Sequence, residues 1–198
     1  MSVESFFNNR SRQYSRNCDT GAWGWVKRGE RAEIIGALNP QARDRVLDLG
    51  CGDGYYSGLL FNKYGCKLMA IDSSAPMLDE LSAQHPGIQN IQMDCQKLPK
   101  LGVFDKILAA GVLEFVESPG KVFQKCDLNL SEKGKVVLLV PRPGWIGFLY
   151  KIIHKFSGCP VYLRSMDEYK GLAQANGFCV KKIRGRLLLS VVLELERQ

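Results

Sequence analysis

The sequence predicts an α/β fold with a mostly parallel sheet that ends in an antiparallel pair of strands. Through the middle of the chain, short apolar runs alternate with runs of helical spacing, which is typical of helices that connect parallel strands. A glycine-rich segment, residues 50–54, directly follows the first apolar run. Two β-rich runs near the C-terminus, residues 178–183 and 187–195, are joined by the tight segment 184–186, which indicates a hairpin.

The first strand is predicted at residues 45–49, an apolar run that ends in glycine-rich sequence. Residues 55–64 then have helical spacing, and Gly65 closes that helix because glycine favours the conformation found just after a helix end. The next apolar run, residues 67–71, predicts the second strand. These three elements form one strand–helix–strand unit.

The second helix is predicted at about residues 74–85. Pro76 fits its first turn, where the missing N–H of proline costs little. The same alternation predicts strands near 88–93, 104–109 and 136–140, and a helix near 120–130. Ser165 and Glu168 form a capping-box pattern that opens a further helix, which ends at Gly177.

The length and net charge of the chain limit its possible domain organisation and binding partners. A chain of 198 residues and 22.2 kDa, without repeats or a linker, predicts a single domain preceded by an N-terminal arm over residues 1–42, with the core at 43–198. The 27 Lys and Arg against 20 Asp and Glu give a net charge of +7, which excludes an acidic-tail protein. A basic surface leaves nucleic acid, anionic lipid or an anionic small molecule as partners.

Cysteine usage and the lack of an apolar leader predict a cytoplasmic protein. The seven cysteines contain no C-x-x-C pair, and only two histidines are present, so we predict free thiols in a reducing compartment and no metal site. Residues 1–17 have no apolar core, and no run approaches the roughly 20 apolar residues that span a bilayer.

The glycine-rich segment is the strongest site signal. Gly50, Gly52 and Gly54 follow a strand and precede a helix, where glycine lets the backbone approach a ligand closely. Asp72 ends the second strand 20 residues after Gly52, a position suited to accepting hydrogen bonds from ribose hydroxyls. Asp48, two residues before Gly50, suits a cationic or amino-bearing ligand better than a pyrophosphate, which prefers N–H donors and positive charge.

Four segments in this order resemble the class I S-adenosylmethionine-dependent methyltransferases, and the resemblance runs from about residue 43 to the C-terminus. The segments are Leu47–Gly54, Ala70–Ser74 with Met77, Met93–Pro99 and Phe104–Glu114. The resemblance implies a Rossmann-like sheet of seven strands with the last one antiparallel, and helices on both faces. It also implies S-adenosylmethionine as cofactor and S-adenosylhomocysteine as product.

The resemblance assigns cofactor contacts residue by residue. Asp72 would hold the ribose, and Ser73 and Met77 would flank the adenine. Asp94 and Cys95 would meet the adenine edge. The methionyl part of the cofactor would lie along Gly50, Cys51, Gly52, Ala110 and Gly111, with Asp48 beside them.

The catalytic residue is not identified by the sequence. Where many small-molecule members of the family have a histidine after the fourth strand, this chain has Glu114-Phe115, so one familiar candidate base is absent. His154 and Tyr14 are possible replacements, although surface or packing roles are commoner for such residues. Holding donor and acceptor in line supplies much of the catalysis in methyl transfer, so a base is needed only when the acceptor loses a proton.

An insertion at about residues 142–164 follows the fifth predicted strand. An apolar stripe at helical spacing runs from Trp145 to Phe156, and residues 133–166 hold six Lys or Arg and no Asp or Glu. Three interpretations stay open: a helix packed on the domain, a lid over an apolar acceptor with an anionic group, or a helix that lies on a membrane.

The N-terminal arm mixes aromatic residues with arginines, a composition that could stack bases or fold over the cofactor as a lid. In members of the family this segment usually covers the cofactor, so we favour the lid. We therefore predict a methyltransferase of a small-molecule or lipid-like acceptor, with O-methylation favoured, nucleic acid disfavoured and the oligomeric state open. The alternatives are an RNA or protein methyltransferase and a non-catalytic cofactor-binding regulatory subunit.

Overall fold

The structure, a computed structural model, describes residues 3–8, 21–156, 159–185 and 189–198, with one seven-stranded sheet at its centre. The first five strands run parallel to one another, whereas the seventh strand is antiparallel to both the fifth and the sixth. This arrangement confirms the predicted fold class and the antiparallel C-terminal pair. The strands are β1 (Arg45–Leu49), β2 (Lys67–Asp72), β3 (Gln89–Gln92), β4 (Phe104–Ala110), β5 (Leu130–Pro141), β6 (Phe178–Arg184) and β7 (Ser190–Arg197).

The order of the strands creates a switch point between β1 and β4. Along the sheet the order is β3-β2-β1-β4-β5-β7-β6. The chain moves outward from β1 to β3 and then returns to β4 on the other side of β1. In open α/β sheets, ligands bind at the carboxyl ends of the strands at such a reversal. The loops after β1 and β4 therefore flank the expected site.

Helices cover both faces of the sheet, as predicted, and each face has its own apolar core. One core combines strand residues with Phe123, Cys126, Tyr169 and Ala173 of α5 and α7, and the other combines them with residues of α2, α3 and α4. The helices are α1 (Val3–Asn8), α2 (Gly21–Leu38), α3 (Tyr55–Tyr64), α4 (Ala75–Gln84), α5 (Pro119–Asn129), α6 (Trp145–Phe156) and α7 (Met166–Ala175). None of the helices in the described residues is long and apolar enough to cross a membrane.

Local chemistry sets the helix ends near the site. Gly54 and Gly65 bracket α3 in left-handed conformations, with φ of 91° and 66°. Ser74 caps α4, which has its proline in the first turn. At α7 both halves of the capping box are present, since Glu168 N–H donates to Ser165 Oγ at 3.2 Å and Ser165 N–H donates to Glu168 Oε2 at 2.6 Å.

Two boundaries differ from the sequence prediction. Strand β5 begins at Leu130, because Leu130 pairs with Phe104 before an irregularity in the ladder, whereas the apolar run alone placed the strand near 136–140. Strand β6 ends at Arg184 and β7 begins at Ser190, so the two strands are further apart along the chain than the tight joint predicted at 184–186. Residues 186–188 of this segment lie outside the described residues.

The insertion returns to the sheet through Arg164. Its guanidinium donates to the carbonyl oxygens of Leu113, Val116 and Glu117 at 2.9, 2.7 and 2.9 Å. In addition, Tyr162 N–H donates to Glu114 O at 2.7 Å. These bonds fix the end of the insertion against the loop that follows β4.

Candidate functional site

The turn after β1 places three backbone N–H groups against the end of β2. Gly50 N–H and Cys51 N–H both donate to Ile71 O, at 2.7 and 3.0 Å. Gly52 N–H donates to Asp72 Oδ2 at 2.9 Å. Gly50 and Gly52 hold φ of 68° and 57°, which residues with a Cβ rarely adopt. The loop is thus locked to the strand that carries the predicted ribose-binding carboxylate.

Asp72 is held by both of its oxygens. Oδ2 accepts from Gly52 N–H, and Oδ1 accepts from Ser74 N–H at 2.9 Å. Burial raises the pKa of this carboxyl, and the backbone hydrogen bonds oppose that rise. Because a carboxylate oxygen has two lone pairs, each oxygen retains capacity for a ligand hydroxyl.

The two glycines of the loop differ in what surrounds them. A Cβ on Gly50 would lie 2.3 Å from Val112 Cγ2, so this residue lets the loops after β1 and β4 touch. A Cβ on Gly52 would meet nothing within 4 Å. The backbone at Gly52 therefore borders free space at the switch point, where a ligand can approach it.

Asp48 lies beneath this loop and is 1% exposed. Ser57 Oγ donates to Asp48 Oδ2 at 2.6 Å. The pKa of Asp48 is raised to about 7, mainly by burial and also by the nearby charge of Asp72. The hydrogen bond from Ser57 opposes this rise. Two carboxyls close together make the site one that favours a cationic ligand over a phosphate.

The remaining predicted residues follow β2 and β3. Ser73 is half-buried, and Met77 is 1% exposed in the first turn of α4. Asp94 Oδ1 accepts from Gln96 N–H at 2.9 Å and so caps the short 3₁₀ turn Cys95–Lys97. Burial raises the pKa of the Cys95 thiol to about 12, so this sulfur stays protonated at neutral pH.

On the other side of the switch point, Ala110 ends β4, and Gly111 follows with φ of 71°. Gly111 N–H donates to Leu139 O at 3.0 Å. The topology thus brings all eleven predicted cofactor residues to the carboxyl edge of β1 to β4. Their contacts with a cofactor stay a prediction.

Glu114 is a buried carboxyl whose importance the sequence did not reveal. It is 4% exposed, and within the described part of the chain its Oε2 has no hydrogen-bond partner. A Cβ placed on Gly111 would lie 3.7 Å from its Oε1. The pKa of Glu114 is raised to about 7, mainly by burial and also by the charge of Glu30. Its backbone hydrogen bond and the charges of Lys27 and Arg164 oppose this rise. The only hint of Glu114 in the sequence was its position after the fourth predicted strand.

An aromatic cluster joins α1, the β4 loop and α6 beside Glu114. The ring centroids of Phe7 and Phe115 lie 5.2 Å apart, and those of Phe6 and His154 lie 5.5 Å apart. Phe115 and His154 are 5.8 Å apart. His154, one of the two weak candidate bases, therefore packs among aromatic rings, whereas Tyr14, the other, lies outside the described residues.

Helix α1 also reaches the cofactor side of the site. Ser74 Oγ donates to Asn8 Oδ1 at 2.6 Å, and Ser74 N–H holds Asp72. The six-residue α1 therefore extends between the Asp72 loop and the aromatic cluster. Among the described residues, no group of three or more His, Cys, Asp or Glu could hold a metal ion.

Comparisons with known proteins identify a matching family model and similar curated proteins. Residues 47–138 match the family model described as a methyltransferase domain. The chain is 32% identical over 123 residues to a tRNA U34 carboxymethyltransferase of Shewanella denitrificans, a match covering 59% of this chain and 35% of that protein. It is 28% identical over 116 residues to a trans-aconitate 2-methyltransferase of Rhizobium etli, covering 58% of this chain and 44% of that protein. The chain thus spans less than half the length of these curated relatives.

Among solved structures, magnesium protoporphyrin IX methyltransferase from Synechocystis, determined with bound S-adenosylhomocysteine, superimposes with a TM-score of 0.76. The sequence identity is 18%, and the match covers 99% of this chain and 98% of that chain. This likeness concerns the fold. The family model and the fold together confirm the predicted resemblance.

Proposed function

We propose that this chain, which carries a methyltransferase domain of the class I S-adenosylmethionine-dependent type, transfers the methyl group of S-adenosylmethionine to a small-molecule or lipid-like acceptor. The observation that carries the proposal is the cradle at the switch point. There Gly52 borders free space while its N–H orients Asp72, and Asp48 adds a second carboxyl below. The residues fit a cationic ligand that has a ribose. They do not fit a bare polyphosphate.

In this proposal the eleven predicted residues hold the cofactor. Asp72 accepts the ribose hydroxyls through the lone pairs that Gly52 and Ser74 leave free. Ser73 and Met77 flank the adenine, and the segment at Asp94 and Cys95 meets its edge. The methionyl part lies along the backbone of Gly50, Cys51, Gly52, Ala110 and Gly111, with Asp48 below. When bound, S-adenosylmethionine supplies an electrophilic methyl group on a positively charged sulfur.

The acceptor side is formed by the β4 loop, α1 and the insertion at about residues 142–164. Phe6, Phe7 and Phe115 supply an apolar wall, and the insertion, which has four Lys or Arg and no Asp or Glu, supplies positive charge. An apolar acceptor with an anionic group suits this environment. In this proposal α1 and the insertion cover the site within a single domain, whereas α2, the rest of the described arm, packs in the core.

Glu114 is our proposed proton acceptor for an O–H or N–H acceptor group, with O-methylation favoured. The bond from oxygen or nitrogen to the methyl carbon would form as the carbon–sulfur bond of the cofactor breaks, with S-adenosylhomocysteine as the leaving group. The acceptor's proton would pass to the Glu114 carboxylate and then to solvent. A carboxyl with a pKa near 7 is suited to this task at neutral pH. Transfer by the wild type should then rise with pH through about 7, whereas Glu114→Gln should be slow and lack that rise.

A second candidate function is methylation of RNA. The curated relatives named as tRNA U34 carboxymethyltransferases and the net charge of +7 favour it. We rank it below the small-molecule proposal because the aromatic wall beside Glu114, in which Phe6 is buried and Phe7 and Phe115 are half-buried, suits an apolar acceptor.

We place the protein in the cytoplasm, since the six cysteines that the structure describes are free thiols.

The test is a transfer assay with S-adenosylmethionine that carries a tritiated methyl group, using separate polar-metabolite, lipid and RNA fractions of cell extract. Label in metabolite or lipid supports the proposal, and label in RNA alone favours the second candidate. Asp72→Asn is the control variant, because it removes a proposed cofactor contact. Cofactor binding without transfer to any fraction would contradict the enzymatic proposal and favour a regulatory subunit.

A further inference from the structure

The amphipathic helix α6 packs on the protein through its less apolar side. Gly147 is buried, and a Cβ there would lie 2.4 Å from Arg142 O. His154, seven residues later, contacts the rings of Phe6 and Phe115. Seven residues are almost two helical turns, so positions 147 and 154 lie on the same side of α6. That side faces the domain.

The part of the apolar stripe whose side chains the structure describes points away from the domain. Trp145 and Phe148 are 78% and 61% exposed, and Ile152 is half-buried. At about 100° per residue, these three positions lie within about 60° of one another and between about 100° and about 160° away from Gly147. The stripe that the sequence predicted therefore does not serve only to fix α6 to the core. Among the described side chains of the stripe, Trp145 and Phe148 form an exposed face, which we call the α6 face.

Exposed aromatic side chains next to each other mark an interaction surface. The charge around the α6 face indicates its partner. Lys151 is exposed and follows Phe148 by three residues, so the two are neighbours on the helix surface. The insertion at about residues 142–164 contains four Lys or Arg and no Asp or Glu, and one of them, Arg164, binds the β4 loop. An apolar face with flanking basic residues and an outward tryptophan is the pattern of a helix that lies in the interface of an anionic membrane.

We propose that the α6 face docks on the surface of an anionic phospholipid membrane. The docked helix lies in the plane of the interface, with Trp145 and Phe148 at the acyl boundary and Lys151 among the headgroups. This inference concerns membrane binding and does not depend on methyl transfer. If the proposed function also holds, docking brings the aromatic cluster beside Glu114 close to the lipid, where an apolar acceptor would be found.

The test is flotation of the purified full chain with vesicles, either of phosphatidylcholine alone or of an equimolar mixture of phosphatidylcholine and phosphatidylglycerol. We expect flotation with the anionic vesicles, and weaker flotation at high salt. The double variant Trp145→Ser/Phe148→Ser should partition at least about tenfold less well, since it removes two large apolar groups from the interface.

The matched control is Trp25→Ser, because Trp25 is a 68% exposed tryptophan on α2. This variant should stay within about twofold of the wild type, given that α6 supplies the apolar area for docking. Circular dichroism and thermal unfolding check that all variants fold. Retention of S-adenosylmethionine binding in a variant that no longer floats separates loss of docking from loss of the proposed function.

Three outcomes would overturn the proposal. The first is a wild type that does not float with anionic vesicles. The second is equal loss of flotation in the Trp25 control and the double variant. The third is a double variant that floats like the wild type. If the double variant instead abolishes binding to a labelled single-stranded RNA or a dimer seen in sedimentation velocity, while vesicles are not bound, the α6 face serves RNA or a second copy.

Discussion

Replacing Asp48 by Asn should change how stability depends on pH. Burial raises the pKa of Asp48 from 3.8 to about 7. The folded protein thus binds this proton more tightly than the unfolded chain, so protonation favours folding. The free energy of unfolding should be highest below about pH 4, fall between about pH 4 and 7, and level off above that range.

The size of the effect follows from the pKa rise. Each tenfold change in proton affinity corresponds to about 1.4 kcal/mol, so the Asp48 carboxyl should contribute a fall of about 4 kcal/mol across this range. Asn at position 48 does not ionise there, yet its oxygen can still accept the hydrogen bond from Ser57 Oγ. The difference in unfolding free energy between variant and wild type should therefore grow by about 4 kcal/mol, in favour of Asn, from pH 4 to pH 8.

Urea unfolding followed by circular dichroism at several pH values between 4 and 8 measures this difference without any ligand. Asp167→Asn, at a side chain that is 92% exposed, controls for the loss of one negative charge. Ser57→Ala should move the fall to higher pH, because it removes the hydrogen bond that lowers the pKa of Asp48. A difference between Asp48→Asn and wild type that does not vary with pH would refute this reasoning.

Three further predictions concern ligand binding and packing. Asp72→Asn should weaken S-adenosylmethionine binding at least about tenfold in calorimetric titration, because charge-assisted hydrogen bonds are lost; unchanged affinity would contradict the ribose assignment. Gly50→Ala should destabilise the fold by more than about 2 kcal/mol in chemical unfolding, since its Cβ would meet Val112 at 2.3 Å, whereas Gly52→Ala should cost only about 1 kcal/mol of backbone strain. Equal losses of unfolding free energy in Gly50→Ala and Gly52→Ala would contradict the inference that their surroundings differ. Asn129→Ala should cost about 2–4 kcal/mol in thermal or urea unfolding, because the buried amide bonds to Leu101 N, Pro99 O and Lys125 O, and a cost below 1 kcal/mol would show that these bonds are replaced.

The cofactor half of the site could be predicted because its signals are local in sequence. Glycine follows a strand in the loop at Gly50–Gly52, and Asp72 ends the next strand. Parallel strands bring their carboxyl ends to one edge, so the topology places these residues together. The alternation of strands and helices predicts that these residues share one edge of the sheet, whereas the part of the cofactor that each would contact is what the resemblance implies.

The acceptor half could not be predicted in the same way. Burial of Glu114 depends on α2, α7 and the β4 loop packing around it, and no local pattern encodes that. For α6, helical spacing predicts an apolar stripe but cannot say whether the stripe meets the domain or faces outward. The early start of β5 was missed because Ser131, Glu132 and Lys133, which lie in the irregularity between the Phe104–Leu130 and Lys106–Lys135 pairs, are polar and interrupt the apolar run.

The bonds of Arg164 bear on how acceptor specificity can be engineered. The segment from Pro141 to Arg164 leaves the sheet where Pro141 pairs with Ser190, and it ends where Arg164 binds three carbonyl oxygens of the β4 loop. Between these points His154 packs on Phe6 and Phe115, and Cys159 and Val161 are buried. A segment exchanged here would have to keep those contacts, whereas the cradle at Gly52 and Asp72 lies outside it.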